Sequence, residues 1–105
     1  MLLLIDYPEV KELADYVMSE FEQYPKLVSG SILTLEHHTK GSFDFIWRYD
    51  GCIDIRYKNH ICGTITFMGS YPTYLTYKNV ITINIQDMIS SLTDIEKSLC
   101  QQLLS

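Results

Sequence analysis

Histidine and cysteine side chains occur together in the middle of the sequence, and these residue types can ligate a metal or form a nucleophilic pair. The residues are His37, His38, Cys52, His60 and Cys62. No CxxC or HxxxH spacing of the kind typical of zinc sites connects them. A catalytic cysteine and histidine normally meet in space rather than in sequence, so the closeness of His60 to Cys62 is weak support for catalysis. The sequence therefore predicts free thiols, no bound metal and no cofactor.

The familiar signatures of catalysis do not occur in the sequence either. It contains no glycine-rich phosphate loop, no nucleophile elbow and no matched pair of carboxylates. Asp44 and Asp54 are better explained as charges that face cations across neighbouring strands. We therefore expect a protein that is not an enzyme and that acts by binding.

Length and composition indicate one globular domain over residues 1–105. The chain has 105 residues, of which 47% are hydrophobic and 20% are charged, enough for one core and too few for two. The formal net charge of −5 argues against nucleic acid as a partner, because affinity for phosphates depends on basic patches.

No segment of the sequence predicts a membrane span or a leader peptide. No run approaches the roughly 20 apolar residues that cross a bilayer. Met1 to Ile5 is apolar but short, has no basic leader and is followed at once by Asp6 and Pro8, so we assign it to the core. An odd number of cysteines, 3, favours a reducing compartment, and we expect a cytoplasmic protein.

A stretch from Ser42 to Met68 predicts three antiparallel strands, because large side chains recur at every second position. The alternating residues are Phe43, Phe45, Trp47 and Tyr49, then Ile53, Ile55 and Tyr57, then Ile61, Gly63, Ile65 and Phe67.

The first turn of this meander contains Asp50-Gly51, a pair that favours a two-residue hairpin. That register would set the apolar face of one strand against the polar face of the next. A three-residue loop, Tyr49-Asp50-Gly51, with Gly51 in the left-handed conformation, avoids this conflict. It pairs Trp47 with Ile53, and it sets Asp44 opposite Arg56.

The same reasoning predicts a three-residue loop, Lys58-Asn59-His60, in the second turn. This loop pairs Tyr57 with Ile61 and Ile55 with Gly63, and Trp47 would fill the notch that Gly63 leaves. In this register Cys52 faces Thr66 and Cys62 faces Arg56. The two sulfur atoms then lie on one face but too far apart for a disulfide or a shared ion.

Helical periodicity appears at both ends of the chain. Asp6 to Glu9 predicts a helix start, and an apolar stripe from Val10 to Tyr24 continues to Pro25. At the other end, Thr93 to Glu96 matches a capping box, so a short turn from Asp87 is expected to break before a main helix over residues 94–104.

Three further segments complete the predicted fold. Residues 29–37 predict a leading strand with Leu33 and Leu35 on the core face. Residues 69–79 predict a tyrosine-rich connection, with a short edge strand at 74–77. Residues 80–85 predict a strand with Ile81, Ile83 and Ile85 inward.

Together these elements predict an α+β fold. It has an N-terminal helix, an antiparallel meander sheet of four to six strands and a C-terminal helix, and both helices cover one face of the sheet.

The surface then provides the functional hypothesis. Acidic side chains on the first helix and eight tyrosines suggest a protein-binding surface, because tyrosine offers large contact area at low entropic cost. The candidate partner-binding residues are Glu9, Glu12, Asp15, Glu20, Asp44, Asp54, Tyr71, Tyr74 and Tyr77.

The expected function is that of a small acidic inhibitor, of the immunity-protein or antitoxin type, which neutralises a basic toxin or nuclease as a monomer or homodimer. One alternative is an acidic chaperone or adaptor that dimerises through its sheet. Another is a domain that binds small molecules, or an enzyme, with a tyrosine-lined cleft.

Overall fold

A computed structural model describes residues 1–23 and 28–104 of the chain, with backbone only for residues 98–104. The expected helix terminator Pro25 lies outside the described residues, as does Tyr24. In chain order the elements are β1 (Leu2–Leu3), a 3-10 helix (Leu4–Asp6), α1 (Pro8–Glu22), β2 (Ile32–His37), β3 (Gly41–Trp47), β4 (Ile53–Tyr57), β5 (His60–Met68), β6 (Tyr71–Tyr77) and α2 (Ile85–Leu104).

The predicted α+β fold is confirmed. The six strands form one antiparallel sheet in the order β1-β6-β5-β4-β3-β2. One hydrophobic core joins the inward side chains of the strands to the apolar stripes of α1 and α2. In α1 the buried residues are Val10, Leu13, Ala14, Val17 and Phe21, at the spacing of three and four that one helix face requires. Among the described residues, no helix has both the length and the apolar character that a bilayer crossing requires.

The predicted register between β3 and β4 is confirmed. Trp47 pairs with Ile53, and Asp44 pairs with Arg56. The backbone N–H of Arg48 donates to the carbonyl of Cys52 at 3.0 Å, which closes a three-residue loop. Gly51 in this loop has a φ of +85°, a conformation that glycine adopts without a steric penalty.

The predicted loop between β4 and β5 is wrong. Tyr57 pairs with His60 rather than Ile61, so the turn has two residues, Lys58 and Asn59, with φ values of +48° and +67°. Positive φ at both positions is typical of a type I′ hairpin turn.

A β-bulge then restores the expected alternation further along β5. Arg56 pairs with Ile61 and Ile55 pairs with Gly63, so Cys62 lies between them without a partner on β4. The pairing of Ile55 with Gly63 is confirmed, but that of Cys62 with Arg56 is wrong. The bulge buries the Cys62 side chain, whereas Ile61 is 37% exposed.

The close approach at Gly63 involves α2 rather than Trp47, so the predicted filling of the notch is wrong. A β-carbon at Gly63 would lie 3.1 Å from the carbonyl oxygen of Thr76 and 3.3 Å from Cε of Met88. Trp47 instead packs against Phe21 of α1, with ring centroids 5.9 Å apart.

The tyrosine-rich connection forms a complete strand, β6, which is internal and not an edge. Its outer neighbour is β1, in which Leu2 pairs with Leu75 and Leu3 with Tyr74. The N-terminal segment was expected in the core, but it supplies this short edge strand and buries only Leu4 completely. Ile5, by contrast, is 78% exposed.

The predicted strand over residues 80–85 is also wrong. Val80 and Ile83 form an isolated bridge around a tight turn, and Ile81 at its tip is fully exposed. Ile85 begins α2, and the side chain of Asn84 accepts a hydrogen bond from the backbone N–H of Asp87 at 2.9 Å. This bond caps the helix, which continues without the break that the sequence predicts at Asp94.

Candidate functional site

The charges of the chain are divided unequally between its two layers. Residues 4–22 and 85–97 form what we call the acidic helical layer, which holds nine carboxyl side chains and only two lysines, Lys11 and Lys97. Residues 28–84 hold four carboxyl side chains and five cationic ones. The nine carboxyl residues are Asp6, Glu9, Glu12, Asp15, Glu20, Glu22, Asp87, Asp94 and Glu96. The helical layer therefore carries the net negative charge of the described chain.

All four acidic residues proposed from the first helix lie on α1, within this layer. Glu12 and Asp15 are exposed, whereas Glu9 and Glu20 are half-buried. One carboxylate oxygen of Glu9 lies 3.8 Å from Nζ of Lys97 on α2. The same oxygen, Oε2, is buried and accepts no hydrogen bond from the described residues. Glu9 thus joins α1 to α2 through a long ion pair, and its side chain remains 46% exposed.

A pair of carboxyl groups joins α1 to α2. Glu12 hydrogen-bonds to Glu96, a buried residue that is 8% exposed. This hydrogen bond raises the pKa of Glu12, and repulsion from the negative charge of Glu96 raises it further. The sequence does not reveal the pair, although Glu96 follows Leu92 by one helical turn and so falls on the buried side of α2.

Asp44 lies on the opposite surface, the face of the sheet that the helices leave open. Its Oδ2 accepts hydrogen bonds from Nε and Nη2 of Arg56, at 3.0 and 2.8 Å. Its Oδ1 accepts one from the hydroxyl of Thr34 at 2.7 Å. The opposite charges predicted for this ladder position are therefore in contact, and the charge of Asp44 is compensated.

Asp54 is compensated in the same way on the same face. Its Oδ1 accepts a hydrogen bond from the hydroxyl of Thr64 at 2.7 Å, and Nη1 of Arg48 lies 3.4 Å away. Arg48 also contacts Asp50 at 2.8 Å. The structure thus separates Asp44 and Asp54 from the acidic residues of α1, and their role in binding a partner stays a prediction.

The three candidate tyrosines lie along β6 and face different surroundings. Tyr71 is 67% exposed, and Nζ of Lys11 on α1 lies 5.9 Å from its ring centroid. Tyr74 pairs with Leu3 and Thr66 on the open face. Tyr77 is half-buried, and its hydroxyl donates to the carbonyl of Ile83 at 3.0 Å. The structure does not bring these residues together into one cleft.

His37 has a defined structural position. It is 7% exposed, and its Nδ1 accepts hydrogen bonds from the backbone N–H groups of Thr39 and Lys40, at 3.2 and 3.0 Å. An accepting Nδ1 carries no proton, so the proton is on Nε2, which donates to Oδ2 of Asp94 at 3.2 Å. Both ring nitrogens are therefore occupied in connecting the β2–β3 turn to α2.

In the part of the chain that the structure describes, histidine, cysteine and acidic side chains form no group of three that could hold a metal ion. Cys52 and Cys62 are both free thiols. Cys100 lies in the segment described by backbone only.

The two free thiols are expected to react at very different rates. Burial raises the pKa of Cys62 from 9.0 to about 11, and its thiol lies 3.4 Å from the carbonyl oxygen of Ile55. Because the thiolate is the reactive form, this shift alone should slow the reaction of Cys62 with a disulfide reagent at pH 8 about 100-fold. Measured on the folded protein in a Cys100→Ser background, Cys52→Ser should remove a fast phase that Cys62→Ser leaves intact. Fast modification of Cys62 would contradict the bulge at this position.

Fold and surface together define a small α+β domain with an acidic helical layer and a charge-compensated sheet face. The chain matches no protein-family model, no curated protein and no solved structure.

Proposed function

We propose that this protein binds a basic protein through its acidic helical layer and thereby inhibits it, as an immunity protein or an antitoxin does. The observation that carries the proposal is the uneven distribution of charge, with nine carboxyl groups and two lysines on one layer. A surface dominated by one sign of charge raises the rate at which an oppositely charged protein arrives, and it orients that protein before contact.

The carboxyl pair of α1 and α2 adds to this support. Glu12 and Glu96 are held together despite their like charges, and the pKa of Glu12 is raised as a result. A cationic side chain of a partner placed beside them would reduce this repulsion. Glu12 is exposed, so its carboxyl group can be reached by such a side chain.

One observation favours a second candidate, an acidic chaperone or adaptor that dimerises through its sheet. β2 ends the sheet, and no strand among the described residues pairs with its outer edge. Such an edge can accept a strand of a second copy. A homodimer that loses its association when Thr34 is replaced by proline would favour this candidate.

The cytoplasmic location expected from the sequence is the same for both candidates, and it stays a prediction.

The inhibitor proposal predicts a layer-specific change in association rate. We would express the chain with the basic proteins encoded beside its gene and measure inhibition and binding kinetics for the pair that forms. The double variant Glu12→Lys and Asp15→Lys should slow association about tenfold or more at low salt. The loss should shrink as the ionic strength rises and the screening length falls to about 8 Å.

Glu36→Lys is the matched control, because Glu36 is an exposed acidic residue of the sheet layer. It should change the association rate much less than either α1 substitution. Equal effects of Glu36→Lys and Glu12→Lys would show that only the total charge matters, and they would contradict the proposal that the helical layer is the binding surface.

The inhibitor proposal also predicts a difference between two tyrosines. Because Tyr71 lies beside α1 and Tyr74 on the open face, Tyr71→Ala should speed dissociation more than Tyr74→Ala.

A further inference from the structure

Two depressions lie side by side on the outer surface where α2 meets the segment that leads into α1. The larger, with a volume of about 510 Å³, is lined by Tyr7, Ile85, Gln86, Ile89 and Ser90. The smaller, of about 220 Å³, is lined by Asp6, Tyr7, Pro8, Glu9, Val10 and Thr93. Tyr7 contributes to both depressions, so we call them together the Tyr7 groove.

The length of the Tyr7 groove matches a short helical segment. Its α2 wall runs from Ile85 through Ile89 to Thr93, in steps of four residues, and so extends for about 12 Å at the helical rise. The two depressions therefore lie about one to two helical turns apart. An occupying helix would present side chains at this spacing from positions i and i+4 or i+7.

The two depressions of the groove differ in chemistry. Tyr7, Ile85 and Ile89 are half-buried and give the larger depression an apolar wall. Asp6 and Glu9 line the smaller depression. Oε2 of Glu9 is buried and accepts no hydrogen bond from the described residues, and Nζ of Lys97 is 3.8 Å away. The groove thus offers apolar contact beside two carboxyl groups, that of Asp6, which is exposed, and that of Glu9, whose side chain is 46% exposed although its Oε2 faces Lys97.

We propose that the Tyr7 groove binds an amphipathic helix of the basic partner. Two apolar side chains of that helix occupy the two depressions, and lysine or arginine side chains contact Asp6 and Glu9. Charge complementarity selects the occupant, because the groove belongs to the acidic helical layer. The inference rests on the proposed function for the charge of the partner, and it adds the element that the partner presents.

A designed peptide can test the groove without knowledge of the partner. The probe is a 14-residue helical peptide of leucine and lysine with leucine at helical spacing, and the matched peptide has serine in place of leucine. Titration calorimetry should show that the leucine peptide binds at least tenfold more tightly. Ile89→Gln should remove this difference, whereas Ile81→Gln, which changes a fully exposed isoleucine outside the groove, should preserve it.

A readout on the unmodified protein covers the case in which Ile89→Gln does not fold. The leucine peptide should shift backbone amide resonances of residues 6–10 and 85–93 and leave those of β2 and β3 unchanged. Equal affinity of the two peptides, no binding of the leucine peptide, or shifts centred elsewhere would each overturn the groove. The proposed function is judged separately, by the association rates of the α1 charge variants with the basic partner.

Discussion

Replacement of Phe45 by alanine is expected to lower the free energy of unfolding by about 3 to 5 kcal/mol. Phe45 is fully buried at the centre of β3, where it pairs with Leu33 on one side and Ile55 on the other. Removal of the ring leaves a cavity between the sheet and the helices. The loss is a large part of the roughly 5 to 15 kcal/mol that stabilises a domain of this kind.

Urea unfolding of the two forms, followed by tryptophan fluorescence and by circular dichroism, would measure this difference. Tyr49→Ala is the control, because Tyr49 has the same alternation but lies in the β3–β4 loop and is 87% exposed. Its effect should stay within about 0.5 kcal/mol. If Phe45→Ala is as mild as Tyr49→Ala, the odd-numbered side chains of β3 do not face the core.

The central strands could be predicted from the sequence because the residues that determine their faces and their register are close together in the chain. Alternation along β3 and β4 distinguishes the faces, and the opposite charges of Asp44 and Arg56 select the same register independently. Trp47 was less predictable. Alternation assigns it to the core, and it does contact Phe21 there. Its position at the end of β3 nevertheless leaves it only half-buried.

The remaining errors occur where a turn competes with simple alternation. Lys58 and Asn59 adopt positive φ in a two-residue turn. The bulge at Cys62 then restores the pairing of Ile55 with Gly63 that the longer predicted loop would have given. Alternation of Ile81, Ile83 and Ile85 resembles a strand, although these residues belong to a turn, to the core and to the first turn of α2. In such short segments the tertiary contacts decide the conformation.

The acidic face of α1 could be predicted from helical periodicity, but the acidic helical layer could not. It depends on the packing of α1 against α2, which brings Glu12 to Glu96 from opposite ends of the chain. The compensation of Asp54 by Thr64 and Arg48 likewise depends on three strands meeting. The sequence thus shows that α1 is acidic, but it does not show which acidic side chains meet a cationic partner within the fold.

His37 connects two elements whose association the sequence does not show. Its ring lies between the β2–β3 turn and α2, and it joins the backbone N–H groups of Thr39 and Lys40 to the carboxylate of Asp94. A buried imidazole that satisfies three hydrogen-bond partners orders both elements at once.

His37→Ala is therefore expected to lower the free energy of unfolding by about 2 to 4 kcal/mol, from lost packing and about 1 kcal/mol for each hydrogen bond. Amide hydrogen exchange should show the loss directly, since the N–H groups of Thr39 and Lys40 lose their acceptor. Glu36→Ala is the control, because Glu36 is the exposed residue that precedes His37 on β2.

Asp94→Asn separates the two charge states of His37. A neutral ring that donates from Nε2 can donate equally to the amide oxygen of asparagine, so this variant should change stability at pH 7 by less than about 1 kcal/mol. A charged ring would lose an ion pair in which the histidine is 4% exposed and the carboxylate 44% exposed, and the cost would be larger. A large effect of Asp94→Asn, together with exchange at Thr39 and Lys40 that is unchanged in His37→Ala, would show that Nδ1 does not accept their hydrogen bonds.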